Sequence, residues 1–131
     1  MIKYIFLLFI STSLFAQEVS QDTTVYSDLA VDRLAAFQGG KDKLARFLSR
    51  NFRYPPDARK NGTQGKVVVQ FIVEKDGGLS FISIKEGLAQ DCDKEAMRVV
   101  GAMPKWTPAE LQGKKVRSLN TLPMTFKLAG R

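Results

Sequence analysis

The sequence predicts a small α+β domain: a three-stranded mixed sheet of strand order 2-1-3, with helices packed on one face. Three patterns indicate this fold class. A run of alternating apolar residues ends at Asp76-Gly77, a helical stripe follows it, and a second alternating run closes the chain. With 131 residues, of which 44% are hydrophobic, the chain is long enough to form a core of its own.

The first predicted helix is amphipathic and basic, and it begins after Gly39-Gly40. Helical spacing separates apolar Leu44, Phe47 and Leu48 from basic Arg46, Arg50 and Arg53. Most of the formal net charge of +7 falls within residues 41–66. This basic face is either an ordinary solvated surface or a docking surface for an acidic partner or an anionic envelope polymer. A short helix follows, with Pro56 near its start and Gly62 just past its end.

The first predicted strand covers residues 67–74 and is placed at the centre of the sheet. Val67, Val69, Phe71 and Val73 share one face, and the other face is half apolar, a two-sided pattern that suits a central strand. The Asp-Gly turn returns the chain as a second strand over residues 79–85. Because Leu79 has the opposite parity to Ile82 and Ile84, we expect a bulge near Leu79.

A second long helix and a last strand complete the predicted fold. The helix carries an apolar stripe of Cys92, Ala96, Val99 and Met103, with Asp91 or Asp93 as its cap. The last strand runs from about residue 116 to residue 128. Pro123 lies inside it and places it at an edge, because proline cannot donate to a ladder. An exposed edge suits strand addition by a partner's extended segment.

The composition removes most catalytic and metal chemistry from consideration. Histidine, the commonest general base and metal ligand, is absent, and Cys92 is the only cysteine. The acidic group of Asp91, Asp93 and Glu95 has no calcium-loop pattern around it and is expected to decorate a helix N-terminus. We therefore predict a protein that is not an enzyme and uses no cofactor or metal. Nucleic acid is not expected as a partner, because no groove-binding motif is present.

The N-terminal residues 1–16 have the layout of a signal peptide, with Lys3, an apolar stretch and Ala16 at the cleavage site. We predict export and a mature chain beginning at Gln17. The alternative is an uncleaved membrane anchor, since Leu14 departs from the small-residue rule at the cleavage site. Residues 17–36 are acidic and weakly patterned, and are predicted to be a flexible acidic tether.

The ordered motifs of residues 37–128 resemble the C-terminal domain of the TonB family, especially its Bacteroidota-type energy transducers. They are "FQGG", "YP", "GKVVVQFIVEKDG", "EAMRVVGAMPKWTP", "GKKVR" and "LPMTFKL". The resemblance implies a TonB C-terminal-like domain over residues 37–131. It also implies a periplasmic location and binding of the TonB box of outer-membrane transporters along the last strand.

The resemblance assigns partner-binding residues to the last strand and to the segment before Tyr54-Pro55. They are Asn51, Arg53, Arg117, Leu119, Thr121, Thr125 and Lys127. A complete energy transducer also has an inner-membrane helix that contacts ExbB–ExbD and a long periplasmic span. A tether of about 20 residues reaches only about 70 Å when fully extended, which by sequence is too short to bridge the periplasm.

Three hypotheses follow from these features. The first is a periplasmic TonB-like protein that binds extended peptides and supports TonB-dependent transport. The second is a short energy transducer that meets ExbB–ExbD, which requires an uncleaved anchor. The third is a structural or assembly protein of the envelope that forms a homodimer through the same edge.

Overall fold

The computed structural model describes residues 23–129, which form an α+β fold. Its elements, in chain order, are β1 (Val25–Tyr26), a 3-10 helix (Asp28–Ala30), α1 (Gly40–Asn51), α2 (Pro56–Lys60), β2 (Gly65–Val73), β3 (Leu79–Glu86), α3 (Gln90–Gly101), β4 (Ala109–Leu111) and β5 (Lys114–Phe126). The predicted α+β class is confirmed, and each long predicted element is present within a few residues of its expected bounds.

The sheet has five strands, so the predicted three-stranded sheet of order 2-1-3 is wrong. The order is β1-β5-β2-β3, and β4 pairs with β5 in addition. β2 is antiparallel to both β3 and β5, whereas β1 is parallel to β5. The two additional strands are two and three residues long. Segments that short show no measurable alternation, which is why the sequence pattern missed them.

β2 is the central strand and divides its side chains between two faces. Val67, Val69, Phe71 and Val73 are fully buried, while the residues between them are half-buried. The core forms on the first face, where α3 contributes buried Cys92, Ala96, Val99 and Val100. Burial raises the pKa of the Cys92 thiol to about 11, which fits its predicted role as a small buried apolar residue.

A bulge interrupts β3, two residues later than expected. Gln70 lies opposite Ser83 and Ile72 lies opposite Ser80, so β3 contains one residue more than β2 between these pairs. Phe81 in this interval has a φ of 50°, and its side chain is 74% exposed. The parity change that we noticed at Leu79 is therefore accommodated at Phe81.

The Asp-Gly turn after β2 is fixed to the loop that precedes β4. Gly77 has a φ of 89°, and its carbonyl oxygen accepts a hydrogen bond of 2.8 Å from the Trp106 backbone N–H. A Cβ on Gly77 would lie 2.0 Å from the Trp106 carbonyl oxygen. Glycine is required here for the close backbone approach as well as for the positive φ.

An aromatic cluster joins the end of α1 to the end of β5. The Phe52 ring lies 4.8 Å from the Phe126 ring and 6.2 Å from the Tyr54 ring, measured between centroids. The Tyr54 hydroxyl donates a hydrogen bond to the carbonyl oxygen of Thr63, in the loop just before β2. These contacts set the position of α1 beside the last strand.

The segment 23–36 lies against the sheet, so the predicted flexible tether of residues 17–36 is corrected over this part. Ala36 exchanges backbone hydrogen bonds with Thr107, and Arg33 does so with Glu110. Alternation and helical periodicity are both absent from this segment, and its order comes from these long-range contacts. The predicted signal peptide and the rest of the tether lie outside the described residues. No helix within residues 23–129 has the length and apolarity needed to span a membrane.

Candidate functional site

The last strand, β5, has an open edge over its C-terminal part. β2 pairs with β5 from Ser118 to Phe126, and β1 and β4 pair only with its first five residues. Within the described part of the chain, no strand covers the second side of β5 from Leu119 to Phe126. Eight residues of strand are thus available to a partner, a length of about 26 Å at 3.3 Å per residue.

Pro123 determines which backbone groups face this open edge. It lies opposite Val68 in an uninterrupted antiparallel ladder. Since proline has no N–H, we infer that it occupies a non-hydrogen-bonded pair, whose backbone groups point away from β2. Leu119, Thr121 and Thr125 share this parity, so their N–H groups face the open side.

Three of the predicted partner-binding residues therefore lie on the open edge. Leu119, Thr121 and Thr125 are all exposed, and Leu119 is 38% exposed. Their side chains stand on the sheet face opposite the helices, because the alternate residues Met124 and Phe126 are buried in the core. Lys127 is exposed just beyond the end of the strand.

Arg117 was also expected on the free edge, and the structure corrects this expectation. Its Nε donates to Glu74 Oε2 at 2.7 Å, and its Nη1 donates to the carbonyl oxygen of Thr23 at 2.7 Å. Its backbone pairs with Val25 of β1. The hydrogen bonds from Arg117 and from Ser80 lower the pKa of Glu74. Arg117 thus lies where β1 closes one end of the open edge.

A groove lies at the other end of the edge, between α1 and β5. It has a volume of about 240 Å³ and is lined by Leu48, Ser49, Phe52, Pro123, Met124 and Thr125. The α1 residues of this groove were not among the predicted site residues. The sequence pattern identified Leu48 only as one residue of an apolar helical stripe. Nothing in the sequence placed that stripe next to Pro123.

Asn51 and Arg53 flank Phe52, and their backbone is held in place by α3. Arg53 N–H donates to Glu95 Oε2 at 3.2 Å, and Arg98 Nη2 donates to the Asn51 carbonyl oxygen at 2.6 Å. Glu95 and Arg98 are themselves paired, with 2.5 Å between Oε1 and Nε. The Asn51 side chain donates back to α1, whereas Arg53 is exposed. Neither residue lines the groove between α1 and β5, and Arg53 instead borders a separate pocket with Tyr54 and the start of α3.

The acidic residues at the start of α3 are used in local contacts. Asp93 Oδ1 accepts the Leu88 N–H at 2.9 Å, and Asp91 Oδ1 accepts the Cys92 N–H at 2.9 Å. The residue at the N-cap position is Ala89, which makes no side-chain cap. In residues 23–129 there is no group of three histidine, cysteine or acidic residues placed to hold a metal ion.

Comparison with known proteins identifies the family of this domain. The sequence profile of the Gram-negative bacterial TonB protein C-terminal family matches residues 50–128, more than half of the chain. The chain belongs to the TonB C-terminal domain family. This family membership confirms the resemblance found in the sequence, and the family suggests a TonB-like role in transport.

Solved TonB domains have a similar fold. The Helicobacter pylori TonB C-terminal domain, solved by NMR, has a TM-score of 0.52 and 20% identity over 69% of this chain and 81% of that one. The Pseudomonas aeruginosa TonB C-terminal domain has a TM-score of 0.50 and 28% identity over 60% of this chain and 80% of that one. No curated protein sequence matches the chain.

Proposed function

We propose that this protein is a periplasmic TonB-like protein that binds extended peptide segments by strand addition at Leu119–Phe126. The ligand class is the TonB box of outer-membrane transporters, which the domain family generally contacts. The observation that carries the proposal is the open edge of β5, where backbone groups of Leu119, Thr121 and Thr125 face outward. Backbone hydrogen bonds supply affinity in this mode of binding, and side-chain pockets supply specificity.

The groove between α1 and β5 provides such a pocket. Its walls are mostly apolar, with Leu48, Phe52 and Met124 lining it beside the edge. A peptide added to β5 would place alternate side chains on the helix side of the sheet, and one of them would enter this groove. Pro123 leaves a gap in the row of donors and so limits pairing between two copies of the same edge.

Calorimetry with synthetic TonB-box peptides tests this proposal. Ser49→Trp fills the groove from an exposed position on α1 and is expected to weaken peptide binding at least tenfold. Lys60→Trp, at an exposed position on α2 outside the groove, serves as the matched control and should bind as the unmodified protein does. Equal affinities for all three proteins would contradict the groove as part of the site, and no binding by any of them would contradict the proposed ligand class.

The periplasmic location rests on the signal-peptide pattern of residues 1–16 and has its own test. N-terminal sequencing of the protein from the periplasmic fraction should show a chain that starts at Gln17. Recovery of the intact N-terminus in the inner-membrane fraction would instead favour the anchored transducer that meets ExbB–ExbD.

A further inference from the structure

The basic face of α1 borders a second groove, on the side of the helix away from β5. This groove has a volume of about 400 Å³ and is lined by Phe37, Lys43, Arg46, Phe47, Arg50 and Asn51. Lys43, Arg46 and Arg50 recur at helical spacing, so their charges share one face of α1. Leu48 and Phe52, which line the groove at the open edge, point away from this face.

The floor of this groove is aromatic and fixed. The rings of Phe37 and Phe47 have their centroids 5.7 Å apart, and Phe37 also packs edge-on against Trp106 at 6.0 Å. Phe37 is buried, with 8% of its surface exposed. The floor is therefore part of the core, and only the charged rim is free to adapt to a ligand.

The cations on the rim lack acidic partners. Within residues 23–129, none of the ion pairs involves Lys43, Arg46 or Arg50. Elsewhere in the basic region, Lys66 pairs with Glu86 at 3.9 Å and Arg59 lies over the Tyr54 ring, whereas Lys41, Arg53 and Lys60 make no ion pair within the described residues. Three cations without an ion pair thus line one groove.

Helix stability accounts for these cations only in part. Lys43 lies near the N-terminus of α1, where the helix dipole disfavours positive charge, and Arg46 and Arg50 repel each other at i, i+4, although Asp42 lies at the favourable i, i+4 spacing before Arg46. The Lys43 side chain also folds back over Gly39. A Cβ added to Gly39 would lie 2.1 Å from the Cδ of Lys43. The fold holds three like charges around one cavity.

We propose that this groove is a second binding site, which takes an acidic peptide segment of a protein partner. Two guanidinium groups fit planar carboxylates in bidentate geometry, and the aromatic floor suits the apolar neighbours of those carboxylates. The walled shape of the groove and its aromatic floor favour a peptide over a flat anionic surface or a long polymer. The site is separate from the open edge and does not depend on the function proposed for it.

Fluorescence anisotropy with a labelled peptide of alternating glutamate and alanine tests the site. The peptide should bind the purified protein at low salt, and its glutamine analogue should not. Arg46→Ala with Arg50→Ala should weaken binding at least tenfold. Lys114→Ala with Lys115→Ala, which removes the same charge from the exposed hairpin of β4 and β5, should change it less than twofold.

Three results would overturn the proposal. One is equal loss in both double variants, which would mean nonspecific attraction to a basic protein. Another is absence of peptide binding at millimolar concentration. The third is tighter, groove-dependent binding of heparin or of anionic vesicles, which would assign the groove to an anionic polymer or surface. Binding of TonB-box peptides, measured separately on the same variants, reports on the open edge alone.

Discussion

Replacement of Thr121 by proline tests the open edge at a single backbone atom. Thr121 lies opposite Gln70 in the β2–β5 ladder and is exposed. It shares the parity of Pro123, so its N–H faces the open side and makes no bond to β2. Proline at this position removes a donor from the edge and leaves the ladder with β2 complete.

The expected loss of affinity follows from the hydrogen bond that is removed. A backbone hydrogen bond contributes a net of about 0.5–1.5 kcal/mol, and about 1.4 kcal/mol corresponds to a tenfold change in Kd. Thr121→Pro should therefore raise the Kd for a TonB-box peptide about two- to tenfold. The free energy of unfolding should change by less than about 1 kcal/mol, since surface substitutions without a lost contact have small effects.

Calorimetry and urea unfolding measure the two quantities, and two variants serve as controls. Thr121→Val keeps the N–H and the shape of the side chain, so it should bind as the unmodified protein does. Asn120→Pro removes a donor that faces β2 and should destabilise the fold by about 1–3 kcal/mol. Unchanged affinity in Thr121→Pro, or equal losses in Thr121→Pro and Thr121→Val, would refute the backbone pairing.

The remaining predictions concern stability and reactivity. Gly77→Ala should lower the free energy of unfolding by more than about 2 kcal/mol, because positive φ alone costs about 1–2 kcal/mol and the added Cβ also meets a carbonyl oxygen at 2.0 Å. Gly113→Ala, which has positive φ and no neighbour within 4 Å, should show the strain alone in the same urea experiment. Glu74→Gln should destabilise the protein at pH 7, because Arg117 lowers the pKa of Glu74 and the ion pair stabilises the fold above the ordinary value of 4.5. The difference should shrink as the pH falls below 4.5 and through the lowered pKa, and a difference that grows on acidification would contradict this. The Cys92 thiol, with its pKa raised to about 11, should resist maleimide labelling at pH 8 until urea unfolds the protein.

The elements that could be predicted from the sequence are those with a long periodic pattern. The alternation from Val67 to Val73 identified β2 and its buried face, and the Asp76-Gly77 turn identified the hairpin. Pro123 correctly indicated an unpaired side of β5, since proline restricts a strand locally, through its own missing N–H. In each case the physical constraint acts within a few residues of the signal.

The parts that could not be predicted depend on contacts between distant segments. The pairing of Val25 with Arg117 joins residues far apart in the chain, and it removes Arg117 from the open edge. The groove at the open edge exists because Phe52 packs on Phe126 and so places α1 beside β5. Neither contact leaves a pattern in the local sequence. The sequence therefore contains no sign that Arg117 pairs with β1, or that Ser49 lies in a groove beside β5.

Amide hydrogen exchange at single residues tests the central proposal most directly. In the free protein the amides of Leu119, Thr121 and Thr125 face the open side and should exchange quickly, while that of Asn120 is protected by β2. Addition of a saturating TonB-box peptide should slow exchange at those three amides and leave Asn120 unchanged. Binding of the peptide without protection of these amides would contradict strand addition at this edge.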